Sequence, residues 1–399
     1  MLLPEALDFL RRLVEINSFT GNVDGVRANA RVVAEQFAPL GFTAEHVAAA
    51  DPRFGDHLFL KRPGTGPSGL LLVTHLDTVY PEAEEIANDF HWSVEGDRIF
   101  GPGVNDNKGG TAMIWLVLMA LRESAPEVFE RTTWLIAANA AEEELPKDFP
   151  AACRERMPAG CRAALVFEAC GGMGKGLTLV RCRKGSANFR VKVAGRGAHA
   201  GSRHHEGANA IVEMAEKVKR IAAITDYARD LTANVGSISG GGPSNRVPHE
   251  VECSVNIRAF ETEVLQGAVD AMYALQHDAP AVRAPSDGFA CRTEVELLSR
   301  NPAWPENEGT DRLIEIWVKS AAGLGTELLV EPRGGLSDGN YVSQFLPTLD
   351  GLGPFGLNGH ASERSADGSK VPEFVVTQSF VEMGAITLGA IRELCADEN

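Results

Sequence analysis

The residues able to do chemistry in this chain are two histidines and a set of carboxylates, most of them standing just beyond a short apolar run. His75-Leu76-Asp77 follows the run 69–74. Imidazole is a good ligand for zinc-like ions, and a carboxylate two residues on can accept the other ring N–H and fix the tautomer. Gly101-Pro-Gly-Val-Asn-Asp-Asn-Lys-Gly-Gly110 is a glycine-rich loop that opens a helix. It lacks the Gly-x-x-x-x-Gly-Lys-[Ser/Thr] order of a phosphate loop. Its Asp106 stands at the positive end of the helix, where a carboxylate is stabilised. Glu142-Glu143-Glu144 comes shortly after the run 132–138. Of such neighbours one can bind metal while another stays free as a base. Glu168 follows the run 163–167, and His360 closes the irregular loop Pro354-Phe-Gly-Leu-Asn-Gly-His360. Singly, each has an ordinary structural reading: a satisfied histidine, a capped turn, a solvated charge run. Together they offer the N and O donors that suit zinc and similar divalent ions.

The elements that must position them are legible from periodicity. Leu7, Leu10, Leu13 and Val14 recur at helical spacing in 5–15, and the pattern repeats in 25–40 until Gly41 stops it. Residues 58–61 predict a strand. The near-continuous apolar runs 69–74, 132–138 and 163–167 predict strands buried on both faces, with a helix over 109–123 between the first two. Strands alternating with helices imply a mostly parallel sheet, and ligands bind beyond the carboxyl ends of such strands.

The character changes near residue 182. Phe189, Val191 and Val193 alternate with Asn188, Arg190 and Lys192, as in a half-exposed antiparallel strand. A helix over 208–223, a strand over 251–259 and a helix over 264–275 complete a small α+β insert. A helix over 311–323, a strand over 327–331 and a helix over 376–395 then restore the first pattern. The expected division is 1–181 and 299–399 for a catalytic domain, with 182–298 inserted.

Composition narrows the function classes. Two domains suit 399 residues of which 44% are hydrophobic. Acidic residues outnumber basic ones by 54 to 38, a net charge of -16, which repels nucleic acid and anionic lipid. The seven cysteines are scattered without a Cys-x-x-Cys pair, which argues for reduced thiols and against a thiolate zinc site. Residues 1–5 lack the features of a signal peptide, and no stretch approaches the roughly 18 apolar residues of a spanning helix. The expectation is a cytoplasmic protein with no membrane or nucleic-acid partner.

The ordered set of motifs resembles a metallopeptidase family. Its members are the glutamate carboxypeptidases, acetylornithine deacetylase, succinyl-diaminopimelate desuccinylase and the aminoacylases. The motifs are His75-x-Asp77, Gly103-x-x-Asp106-x-Lys-Gly-Gly, Glu142-Glu143, Glu168 and His360, in order from about 70 to 364. The resemblance implies a zinc-peptidase-like α/β domain with an inserted lid and dimerisation domain. It implies that Asp106 bridges two divalent ions, zinc or else cobalt or manganese. His75 and Glu168 complete one metal site, and Glu143 and His360 the other. Asp77 orients His75, and Glu142 is the general base for a metal-bridging hydroxide, since Asn139 matches the family position three residues before the base. A register with Glu143 as base and Glu144 as ligand stays open. Asn107 stands where an apolar residue is common, a departure expected to leave the ligands untouched.

In the insert, Gly195-Arg-Gly-Ala-His199-Ala-Gly201 matches a family loop whose His reaches the partner subunit's site and stabilises an oxyanion. Asn245 and Arg258 match substrate contacts, Arg258 as the grip on a carboxylate. Gly335 lies in Gly334-Gly-Leu-Ser-Asp338, a loop that borders the substrate pocket in the family. The implied activity is cleavage of an amide bond to an amino acid with a free carboxylate, of glutamate-carboxypeptidase type, by a homodimer. An N-acyl amino-acid deacylase is the alternative. A catalytically silent relative would be expected to lose ligands or the base, and here all are present.

Overall fold

The apolar runs pair as neighbours in one sheet. In the computed structural model, which describes residues 2–171 and 176–396, six strands lie in the order Thr43–Ala48, Asp56–Arg62, Thr133–Asn139, Gly69–His75, Cys161–Val166 and Thr348–Leu349. The last four run parallel, and the first two pair antiparallel at one edge. Every residue of Gly69–His75 is buried. Leu70 and Leu72 enter one apolar cluster with Phe9, Leu10, Trp115 and Trp317, while Leu71 and Val73 enter another with Phe59 and Phe149. That split is the two-residue period of a strand covered on both faces. Each such leucine or valine stabilises the fold by about 1.5–3 kcal/mol relative to exposure. The helices Leu2–Val14, Lys108–Ser124, Glu308–Gly323 and Thr377–Ala396 supply the first cover.

Register brings the functional ends level. His75 pairs with Asn139, and Val73 pairs with Val166, so the chain leaves three adjacent strands at one rim.

A second, antiparallel sheet was not legible in the sequence. It orders Gly356–Leu357, Phe374–Val376, Arg98–Phe100 and Ser93–Glu95. Phe374 pairs with both Phe100 and Leu357. The strand Arg98–Phe100 leads into the Gly101 loop, and Gly356–Leu357 leads to His360. Strands of two or three residues show no alternation, so no period marks them. The expected strand at 327–331 is observed as Leu329–Arg333, paired with Thr178–Arg183 in a small sheet of its own.

The chain divides into two compact units: residues 1–181, 306–333 and 337–399 form one, and 182–305 with 334–336 form the other. The second unit is a four-stranded antiparallel sheet in the order Thr232–Gly240, Glu250–Ala259, Gly185–Ala194 and Arg292–Asn301. Phe189, Val191, Val193, Val255 and Ile257 pack with Met214 and Met272 of the helices Ala210–Ala222 and Thr262–Ala274. Asn188, Arg190 and Lys192 face away, with Arg190 paired to Glu296 at 3.2 Å. Among the described residues no helix is long and apolar enough to cross a membrane.

Candidate metal centre

His75 ends its strand with both ring nitrogens engaged. Nδ1 lies 3.1 Å from the Asp77 carbonyl and 3.2 Å from Asp77 Oδ1. Both neighbours are acceptors, so Nδ1 carries a hydrogen and Nε2 is the nitrogen available to a cation. That Nε2 faces Asp106 Oδ1 at 2.9 Å and Glu168 Oε1 at 3.7 Å. Asp77 is fully buried and has further partners. Oδ2 accepts the Thr20 hydroxyl at 2.7 Å, Oδ1 the Glu142 N–H at 3.0 Å, and Oδ2 the Glu143 N–H at 3.3 Å.

Asp106 reaches the rim through a backbone few residues can follow. Gly103 has φ +79°, and a Cβ there would meet the Thr78 side chain at 2.8 Å. Gly110 lets the helix approach the end of Cys161–Val166, since a Cβ would lie 2.0 Å from the Phe167 carbonyl oxygen. The two oxygens of Asp106 then face different histidines. Oδ1 faces His75, and Oδ2 lies 3.4 Å from His360 Nε2. His360 Nε2 is also 3.3 Å from Glu143 Oε2. His360 itself has φ +67°, an uncommon conformation for a residue with a side chain.

The ligand atoms of His75, Asp106 and Glu143 lie within 4.8 Å of one another. Glu143 Oε1 is buried without a hydrogen-bond partner, as expected of an oxygen meant for a cation. Glu142 is buried beside this set, whereas Glu144 is exposed. That contrast favours the register with Glu143 as ligand.

The electrostatics match a crowded anionic site. Burial pushes the Glu142 carboxyl well above the usual range, and Glu168, Asp338 and Glu143 add to the shift. Burial raises Glu143 as well, with Asp106 adding to it. Hydrogen bonds from His360 to the Asp106 and Glu143 carboxylates raise the imidazole to about 10. Burial would raise Asp106, but His360 and His75 overcome it and hold the carboxyl low. Carboxylates this close need positive charge among them, which a divalent ion supplies. The donor set of two imidazoles and three carboxylates fits such ions.

Of the other rim residues, Glu373 lies outside the motifs legible in the sequence, whereas Asn107, Asn139 and Asp338 lie within them. Asn107 Nδ2 donates to Glu168 Oε1 at 3.1 Å, so this departure from the family pattern does reach a candidate ligand, contrary to expectation. Asn139 Nδ2 donates to Asp338 Oδ1 at 2.9 Å, and its own oxygen accepts the Ala141 N–H. Glu373 binds the backbone of Asn105 and Asp106.

His199, Asn245, Arg258 and Gly335 belong to the second unit, whereas the metal set lies in the first. His199 Nδ1 accepts the N–H of Gly201 at 3.1 Å and of Ser202 at 3.2 Å, so its hydrogen sits on Nε2. The Ala200 N–H donates to the Asn245 carbonyl at 2.9 Å, which joins the two loops. Arg258 Nη1 donates to the Gly334 carbonyl at 2.7 Å, and Arg183 Nη1 to that of Gly335 at 3.1 Å.

A sheet whose rim gathers imidazoles and carboxylates, in a chain interrupted by an α+β unit, defines a metal-dependent hydrolase with an inserted domain. Residues 182–278 match the family of peptidase dimerisation domains. Carboxypeptidase G2 of Pseudomonas sp. is 29% identical over 96% of this chain and 90% of its own length. Succinyl-diaminopimelate desuccinylase of Thioalkalivibrio sulfidiphilus is 24% identical over 99% of this chain and 100% of its own. Among solved structures, an M20 family metallo-carboxypeptidase from Sulfolobus solfataricus superposes with a TM-score of 0.72 at 14% identity, covering 98% of this chain and 99% of that one. The chain thus carries a peptidase dimerisation domain and is similar over nearly its whole length to metal-dependent peptidases and deacylases.

Proposed function

We propose that this enzyme is a two-metal amide hydrolase that releases an amino acid with a free carboxylate, of glutamate-carboxypeptidase type. The observation that carries the reading is Asp106, whose two oxygens face His75 and His360 separately. In this reading Asp106 would be a ligand to both ions. His75 and Glu168 hold one, and Glu143 and His360 hold the other. Zinc fits best, and cobalt or manganese would be accepted. Two such ions supply Lewis-acid activation of a water and of the substrate carbonyl.

The chain's own residues do the rest. Glu142 takes the proton of the attacking water on its carboxylate and passes it to the leaving nitrogen. Its burial favours the protonated form it must adopt between the two transfers. Asp77 keeps the His75 hydrogen on Nδ1. The resemblance implies that His199 offers Nε2–H to the developing oxyanion in the partner subunit's site, a donor that its own loop has already oriented. Asn245 and Gly335 contact substrate, and the guanidinium of Arg258 suits a carboxylate.

A homodimer through the second unit is supported by its match to peptidase dimerisation domains and by the exposed Ile211, Val212 and Ile238. Seven free cysteines suit a cytoplasmic setting.

The similarity to a desuccinylase over nearly the whole chain keeps the N-acyl amino-acid deacylase as second reading. The two are separated by loading the protein with zinc and assaying aminobenzoyl- and folyl-glutamate against acetyl- and succinyl-amino acids. Release of glutamate with about two metal equivalents bound is the expected result. Turnover confined to the acetyl or succinyl compounds establishes the second reading, and no turnover of either class overturns both.

A further inference from the structure

Glu373 is fully buried immediately before the strand Phe374–Val376. One oxygen, Oε1, accepts two successive backbone N–H groups, Asn105 at 2.7 Å and Asp106 at 2.9 Å. The other, Oε2, accepts the Tyr80 hydroxyl at 2.6 Å. The Glu373 N–H donates to the Ala361 carbonyl at 2.8 Å.

These partners lie on three segments far apart in sequence. Tyr80 follows the His75-x-Asp77 turn, Asn105 and Asp106 form the glycine-rich loop, and Ala361 adjoins His360. Each segment carries a proposed ligand. The backbone at Asp106 is therefore fixed from behind while its carboxylate points at the two histidines. A buried carboxylate with three donors is a rigid brace, because leaving any of those donors unmet costs about 1–3 kcal/mol. Metal ligands commonly owe their orientation to such outer partners.

We propose that Glu373 is a positioning residue that sets Asp106 between the two metal positions and ties the His360 loop to it. The inference rests on the metal assignment above. A carboxylate that merely filled a buried polar site would matter for stability alone.

The test uses the full-length metal-free protein, titrated with cobalt(II) and followed by visible absorption, alongside its melting temperature. Glu373→Gln keeps the volume and one acceptor oxygen but loses the second. It is expected to weaken cobalt binding by roughly 10–100-fold and to change the absorption bands. Tyr80→Phe, which removes one bond, should show a smaller change of the same kind. A Glu373→Gln protein with wild-type cobalt affinity and spectrum overturns the proposal, whatever its melting temperature. If that variant does not fold, Tyr80→Phe decides in the same way. A wild-type chain that binds no cobalt overturns the metal assignment instead, and the inference with it.

Discussion

Asp77 Oδ1 accepts the backbone N–H of Glu142 at 3.0 Å while it faces His75 Nδ1 at 3.2 Å. One carboxylate thus sets the tautomer of a candidate ligand and the position of the candidate base. Its other oxygen holds Thr20 and the Glu143 N–H. Asp77→Ala leaves those two buried N–H groups unpaired, at a cost of about 1–3 kcal/mol each. It is also expected to weaken zinc binding by roughly 10–100-fold. Denaturant unfolding and competition with a chelating dye measure the two effects. Undiminished zinc affinity would remove Asp77 from its assigned role.

Glu142, Glu143 and Glu144 separate by phenotype. Glu142→Ala should lose at least roughly 10²–10⁴-fold in turnover while retaining both ions. Glu143→Ala should lose metal, and the exposed Glu144→Ala neither activity nor metal. Metal analysis of the three purified variants beside kcat checks the order. Retained activity in Glu142→Ala refutes its assignment as base.

Metal binding should release protons. In the metal-free protein His360 is raised to about 10 by Asp106 and Glu143, and His75 is raised as well, by Asp106 and Asp77 against the pull of burial. An incoming ion must displace those protons, so affinity rises with pH. The sign for stability is opposite. A histidine raised above its unfolded value stabilises the metal-free fold fully below about 6.5, and that contribution fades as pH rises through about 10. Calorimetric titration with zinc in buffers of different ionisation enthalpy counts the protons. Zinc affinity that stays flat from about pH 6 to 8 contradicts this account.

Asn107→Leu tests a contact that departs from the family pattern. The change removes a bond to Glu168, but it also removes Asn107 Oδ1, which is buried without a partner. These effects offset, so stability should change by less than about 1.5 kcal/mol. Metal affinity should fall, because Glu168 loses a donor that orients it. Equal affinity in variant and wild type would show the contact to be incidental.

Much of the fold was legible because burial imposes patterns on sequence. Gly69–Val73 is apolar throughout since both faces of its strand are covered, and Phe189, Val191 and Val193 alternate with polar residues since one face of theirs is not. The candidate ligands could be read because four of the five follow strand ends or a helix start. Four other features left no local trace. The sheet that joins Arg98–Phe100 to Phe374–Val376 is too short for a period. Asn107 and Glu168 meet only because Gly110 lets a helix approach a strand end. Asp338 and Asn139 meet from opposite ends of the first unit's sequence, as do Glu373 and Asp106.

By itself, then, the sequence determined which strands are buried and that a mostly parallel sheet is flanked by helices. These follow from local composition and period, which neighbouring residues share. Only the tertiary structure decided that the two oxygens of Asp106 face separate histidines, and that Asp77 and Glu373 hold their partners in place. Those relations depend on hydrogen bonds between distant segments, and a buried donor donates to whatever oxygen the packing brings to it.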